Sequence, residues 1–243
     1  MQGFKLLYKL KIFLKSFVFI FLFGNLYSQS NPESNTGNWL MYFGTHKFSE
    51  KYSLHYETQL RNYEIVSNFN QLLPRVGLNY HIDKNTSLTA GYAWIPTQTS
   101  MGEGFGGDLV TENRIWQQFI LKNVINKIKI RHRYRLEQRW IKSQYYLNQI
   151  SPVTNTTYKN RARYMLSVRL PILKNEKSPL FISLYDEIFL NISDTPFDQN
   201  RLFAALGYQI NKQINFQVGY LRHRSGGLDL NRLQIAVFLN SGN

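Results

Sequence analysis

Cysteine is absent from all 243 residues. That removes disulfides, thiolate metal sites and the lipid-attachment cysteine of bacterial lipoproteins. Acidic residues are scarce: 15 Asp and Glu stand against 29 Lys and Arg, for a formal charge of +14. Long apolar runs are missing too, apart from one near the start. The chain there carries Lys5, Lys9, Lys11 and Lys15, then the apolar run 17–23, Gly24, and the small residue Ser28. The apolar stretch 12–23 is too short for a spanning helix, which needs roughly 20 apolar residues, and the pattern is that of a secretory signal. Residues 1–28 are therefore expected to be a signal peptide, 29–38 a short polar segment, and 39–243 one domain, since nothing there has linker composition. With no second apolar run and a mean hydropathy of −0.34, a helical membrane protein is excluded. A basic excess often marks nucleic-acid binding, but export argues against that partner, and much of the arginine recurs at period two rather than in a surface run.

The most informative stretch is KIKIRHRYRLEQRW at 127–140. Lys127, Lys129, Arg131, Arg133, Arg135, Glu137 and Arg139 alternate with Ile128, Ile130, His132, Tyr134, Leu136, Gln138 and Trp140. In an extended chain this makes one charged face and one largely apolar face. Fourteen residues span roughly 45 Å, whereas strands of soluble domains usually run about five or six residues. The same alternation recurs at 39–48, 51–63, 69–82, 86–95, 114–125, 161–170, 180–190, 200–210, 214–223 and 230–239. No segment sustains a helical period, so the class is all-β.

Short connections fall at 49–50, 83–85, 126, 174–178 and 211–212, and long ones at 96–110, 141–158, 191–199 and 224–229. Alternating short turns and long loops suit an antiparallel up-and-down transmembrane β-barrel, with its turns in the periplasm. Eleven segments are visible, but single-chain bacterial barrels have even numbers, so about twelve strands are expected, with ten as the fallback.

Alternation does not say which face is inside. A soluble periplasmic lipid-binding barrel would turn Ile, Leu and Tyr inward with identical periodicity. Strand length, the export signal and aromatics towards strand ends (Trp39, Tyr63, Tyr80, Trp94, Trp140, Tyr164 and Tyr208) favour a membrane barrel with interfacial aromatic girdles. The stretches NWLMYFGTHKFSEKYSLHYETQLR, ENRIWQQF, RHRYRLEQRW, YDEIF and NRLFAALGYQI, across 38–239, resemble the domain-of-unknown-function 2490 family, outer-membrane β-barrels of Gram-negative bacteria. The resemblance implies an exported, porin-like barrel in the outer membrane and assigns no activity, ligand or catalytic residue. The expected partners are outer-membrane lipid and lipopolysaccharide, small anionic solutes, and the barrel-assembly machinery that inserts such chains.

If the polar faces line a lumen, Arg61, Arg75, Arg114, Arg131, Arg133, Arg135, Arg139, Arg161, Arg163, Arg169 and Arg201 project into it, with Glu57, Glu137 and Glu187 as obvious partners. Such a lumen is either plugged by an Arg/Glu network or passes and binds small anions, since guanidinium forks match carboxylate and phosphate. Lys142, Lys159 and Arg224 are candidates for lipopolysaccharide phosphates. His223, Ser225 and the later Asn231 form a His-x-Ser arrangement similar to that of outer-membrane phospholipases, so a lipid hydrolase is an alternative. The Asn follows a shorter loop than in those enzymes, and His223 shares the face read as inward, so no enzymatic activity is the main expectation. Gly102, Gly104 and Gly107 spell G-x-G-x-x-G without the strand-turn-helix context a dinucleotide needs. The histidines at 46, 55, 81, 132 and 223 lack ligand spacing, so neither metal nor cofactor is expected.

Overall fold

The computed structural model describes residues 36–99, 109–147, 151–172, 179–192 and 195–242. The expected signal segment, residues 29–35, the Gly102–Gly107 loop and the turn at 174–178 lie outside the described residues. The chain divides into two compact units, Met1–Ser34 and Asn35–Asn243, and the second carries every described residue.

Period-two patterning yields twelve strands and no helix among the described residues: β1 (Gly37–Lys47), β2 (Tyr52–Asn62), β3 (Phe69–Leu72), β4 (Arg75–His81), β5 (Thr86–Gln98), β6 (Leu109–Ile125), β7 (Ile128–Leu147), β8 (Ser151–Pro171), β9 (Leu180–Asn191), β10 (Phe197–Gln209), β11 (Ile214–Ser225) and β12 (Leu228–Gly242). Apart from β3 and β4, consecutive strands pair as antiparallel neighbours, and β1 returns to pair with β12, so the sheet closes. Twelve strands nevertheless make eleven staves, because β3 and β4 share one. Both lie between β2 and β5, and the register carries over from one to the other, with Arg61 opposite Gln71 and Glu57 opposite Arg75; it shifts only beyond Arg61, where Asn62 faces Phe69. Between them the Leu73 N–H donates to the Gln59 carbonyl at 2.9 Å. Pro74 has no N–H to offer, and the ladder is interrupted there.

An odd number of alternating staves brings the first and last strands together pointing the same way. The closing pair is accordingly parallel, from Gly37 opposite Arg232 to Lys47 opposite Gly242. This corrects the wholly antiparallel expectation, and it places the start of β1 and the end of β12 at opposite ends of the barrel. Two of the expected long connections also change. Most of 141–158 is strand, because β7 and β8 stay paired up to Leu147 opposite Ser151. The connection at 224–229 shrinks to the tight turn Gly226–Gly227, whose φ values of 57° and 81° are open to glycine at little cost. At the opposite end, Asp83 closes the β4–β5 turn by accepting the backbone N–H groups of Asn85 and Thr86 at 2.6 and 2.8 Å. The Asn85 N–H bond is the main reason its carboxyl is held below the usual range.

The two faces of the wall are chemically opposite. Arg135 is 3% exposed, while its neighbour Leu136 is 48% exposed. Arg61, Arg75, Arg114, Arg161, Glu57, Glu137 and Gln118 are buried on the inner face; Leu54, Val76, Leu78, Leu88, Ile115 and Leu166 stand exposed on the outside. This is the reverse of a soluble barrel that buries its aliphatic side chains. Two small apolar clusters do lie within the lumen: Leu73, Ala93, Ile95 and Trp116, and Trp39, Phe203, Ala205 and Leu221. Trp39, expected among the interfacial aromatics, is thus inside.

Gly77, Gly91 and Trp116 are direct cross-strand partners on the inner face, and the two glycines form a shelf for the indole. A Cβ on Gly91 would meet the Trp116 ring and the Val76 carbonyl. Gly91→Val is therefore expected to abolish most of the compact, fast-migrating species on unboiled gels of detergent-folded protein. Gly226→Ala, with open space around it, is expected to cost only about 1 kcal/mol in urea unfolding.

Candidate functional site: an arginine-filled lumen

Alternation brings arginines from neighbouring strands into rows across the inner wall. Trp116, Glu137 and Arg161 are mutual partners on β6, β7 and β8, and Gln118, Arg135 and Arg163 form the next row. Repulsion among these cations is offset by a few carboxylates, each shared. Glu137, 1% exposed, accepts the Arg161 Nε and Nη2 at 2.8 and 2.6 Å, the Arg163 Nη1 at 2.6 Å and the Arg114 Nη1 at 3.3 Å. Glu187 accepts the Arg163 Nη2 and the Arg133 Nη2, both at 2.7 Å. Glu112 takes the Arg114 Nε at 2.6 Å and a two-pronged contact from Arg139 at 2.9 Å. Arg161 also reaches Asp198 at 2.8 Å. The result is one connected network from β6 to β10.

A separate group lies on β2 and β4. Glu57 accepts the Arg75 Nη1 at 3.0 Å, pairs with His55 at 3.3 Å, and also accepts the Gln59 amide. Arg135 sits between the two groups. It donates to Gln118 at 2.8 Å and stacks over the Trp116 ring at 4.6 Å. Its Nη1, 3.9 Å from Glu137, has electrostatic contact without a hydrogen bond. Contacts along the inner wall also join strands that are not neighbours, skipping two staves. His55 on β2 meets the edge of Trp116 on β6 with 5.8 Å between ring centroids, and Tyr185 on β9 donates to Gln234 on β12 at 3.2 Å.

All eleven arginines singled out from sequence (Arg61, Arg75, Arg114, Arg131, Arg133, Arg135, Arg139, Arg161, Arg163, Arg169 and Arg201) lie on strand faces that point inward. Glu57, Glu137 and Glu187 share that face. Arg169 bonds Gln209 at 2.6 Å and lies over the Phe181 ring at 3.3 Å, with no carboxylate in ion-pair range among the described residues. The Arg131 guanidinium has no hydrogen bond or ion pair among the described residues, and its Nε is one of several buried polar atoms left unpartnered, with those of Arg75, Arg133 and Arg201. Such atoms are costly in a low-dielectric interior unless water or an anion reaches them.

Sequence reasoning missed Glu112, Asp198, Gln118 and Trp116. Extending the period of two upstream from Arg114 reaches Glu112, so the signal for that residue was present. His223, Ser225 and Asn231 are not brought together. His223 faces inward and bonds Gln199 at 3.1 Å, while Asn231 lies on the outer face and accepts the Tyr220 hydroxyl. Arg224, a candidate lipopolysaccharide contact, is on the outer face 3.8 Å from Asp229; Lys142 and Lys159 lie on β7 and β8.

An all-β closed wall with this polar filling defines the class of the protein as a β-barrel with a charged interior. The chain belongs to the family described as protein of unknown function (DUF2490), whose model matches residues 36–233, from just before β1 into β12. Comparisons with curated proteins and with solved structures give no match.

Glu137 holds three arginines, so neutralising it strands buried positive charge. Glu137→Gln is expected to lower stability by about 3–5 kcal/mol in urea unfolding. Glu50→Gln, in an exposed turn, should stay within about 0.5 kcal/mol.

Proposed function

We propose that the barrel resides in the outer membrane and that its arginine–glutamate network closes the lumen to free conduction. The observation that carries the membrane part is the inverted burial of the wall, apolar outside and charged inside, along strands of up to 21 residues. Lipid provides no hydrogen bonds, so polar groups facing it must find partners within the protein. Several on the outer face do: Gln117 donates to Gln138 at 3.0 Å, His132 meets the Tyr164 hydroxyl at 2.9 Å, and Asn200 donates to Asp186 at 2.7 Å. The outer wall of β4–β9 also carries an apolar groove of about 720 Å³ that includes Leu78, Tyr80, Leu88, Tyr134, Leu136 and Tyr164, a surface suited to acyl chains. Exposed Trp94, Trp140 and Tyr208 suit the interfacial girdle.

Closure of the lumen is supported by the burial of Arg61, Arg114, Arg135, Arg161 and Arg163 to below 7% exposure, and by Trp116 and Tyr185, whose side chains each reach a stave three places along the inner wall. A water-filled pore would leave such side chains wet.

Two measurements test this reading separately. Leu136→Arg is expected to lower folding stability in lipid vesicles by about 2–4 kcal/mol if that position meets acyl chains. A change within about 0.5 kcal/mol, as for a solvent-exposed site, would remove the membrane assignment. In planar bilayers the parent protein should give no regular conductance steps. Anion-selective steps that shrink in Arg133→Gln and Arg135→Gln variants would replace the closed lumen by a channel.

A further inference from the structure

Beyond the network, near the start of β1, lies a second group of cations without acid partners. The Trp39 side chain, 3% exposed, packs on Phe203, Ala205 and Leu221 and meets the His223 ring edge-on at 5.5 Å. Over its ring lie two guanidinium groups, that of Arg61 at 3.8 Å and that of Arg201 at 4.8 Å. They arrive from different parts of the wall, β2 and β10, with Arg61 the cross-strand partner of Trp39 and Arg201 that of His223.

Their hydrogen bonds all go to neutral acceptors. Arg61 donates to Gln59 at 2.6 and 3.1 Å and to Gln71 at 2.9 Å. Arg201 donates only through Nη2, to Gln199 at 3.1 Å, the same oxygen that His223 contacts. Among the described residues no carboxylate lies within 4.0 Å of either guanidinium. Glu57 and Glu187 attract them from farther away, and both are already engaged, by Arg75 and by Arg133 and Arg163. Arg201 is 8% exposed, and its buried Nε has no acceptor. Two nearly buried cations beside one indole, with neutral partners and an idle donor, form a site lacking its negative charge. In the network centred on Glu137 the chain supplies glutamates; here it supplies glutamines.

We propose that this side-chain cluster binds a small oxyanion of the carboxylate or phosphate class, with Arg201 as the principal ligand and Arg61 as the second. A guanidinium edge presents parallel N–H donors that match two oxygens of such an anion, and Arg201 has that edge only partly used. Trp39 lies under both guanidinium groups, the Phe189 ring holds that of Arg201 at 4.4 Å, and the glutamines hold orientation without cancelling charge. The site is local, so it needs no conduction pathway and is independent of whether the lumen is sealed.

The test is calorimetric titration of the detergent-folded full chain with inorganic phosphate and, separately, with acetate, at constant ionic strength set by chloride. Saturable binding of at least one is expected, and the tighter of the two identifies the class. Arg201→Gln should weaken it about tenfold or more, and Arg61→Lys, which keeps charge but loses the fork, several-fold. Arg222→Gln, on the outer face against Asp229, should leave it unchanged. Unboiled gels verify that each variant is folded. If Arg201→Gln does not fold, the parent's thermal midpoint decides: phosphate or acetate should raise it above chloride at equal ionic strength, and Arg61→Lys should reduce that rise. No saturable heat in the parent, equal binding by a folded Arg201→Gln, or a midpoint indifferent to the anion would each overturn the proposal. None of these results bears on conductance, so the site and the closed lumen fail independently.

Discussion

Everything in this barrel depends on placing guanidinium groups inside a closed wall with too few carboxylates to neutralise them one for one. A buried charge without a partner is far more costly than an exposed one, so the acids are shared. Glu137 is the clearest case, accepting from Arg114, Arg161 and Arg163, and Arg163 passes the connection on to Glu187. Aromatic rings provide the second form of compensation. Trp39, Trp116, Phe181 and Phe189 each lie under at least one guanidinium, where the ring face attracts the cation without adding charge. Glycine at 77 and 91 matters for the same reason, since the shelf under Trp116 leaves no room for a Cβ.

The wall geometry follows from a smaller cause. One proline interrupts a stave without shifting its register, so the strand count and the stave count differ. With eleven staves the closing pair is parallel, and the chain enters β1 and leaves β12 at opposite ends. The loop lengths lose their asymmetry as well, because β7 and β8 absorb most of what reads as a loop and β11–β12 turn on two glycines.

How far the site was legible varies by residue. Arginines spaced by two, as at 131, 133 and 135, show their common face in the sequence. Glu112 obeys the same rule and was hidden only by starting the strand two residues late. Asp198 was not legible, because its partner Arg161 is two strands away and sequence spacing holds no information about contacts that skip a strand. Trp39 and Trp116 were ambiguous for a chemical reason: indole suits an interfacial girdle and a cation-lined interior equally well, and only the register against Arg61 and Gly91 separates the two.

The sequence alone determined the all-β class, the two-faced strands and the arginine excess on one face, since a period of two with charged and apolar alternation has no other regular backbone. It could not determine which face closes inward, because alternation is symmetric to inversion. Nor could it determine how an odd set of staves closes, or which cations keep a carboxylate. Those depend on distances between strands remote in sequence: the wall's curvature crowds Arg135, Arg163 and Trp116 together and leaves Arg61 and Arg201 with glutamines for company.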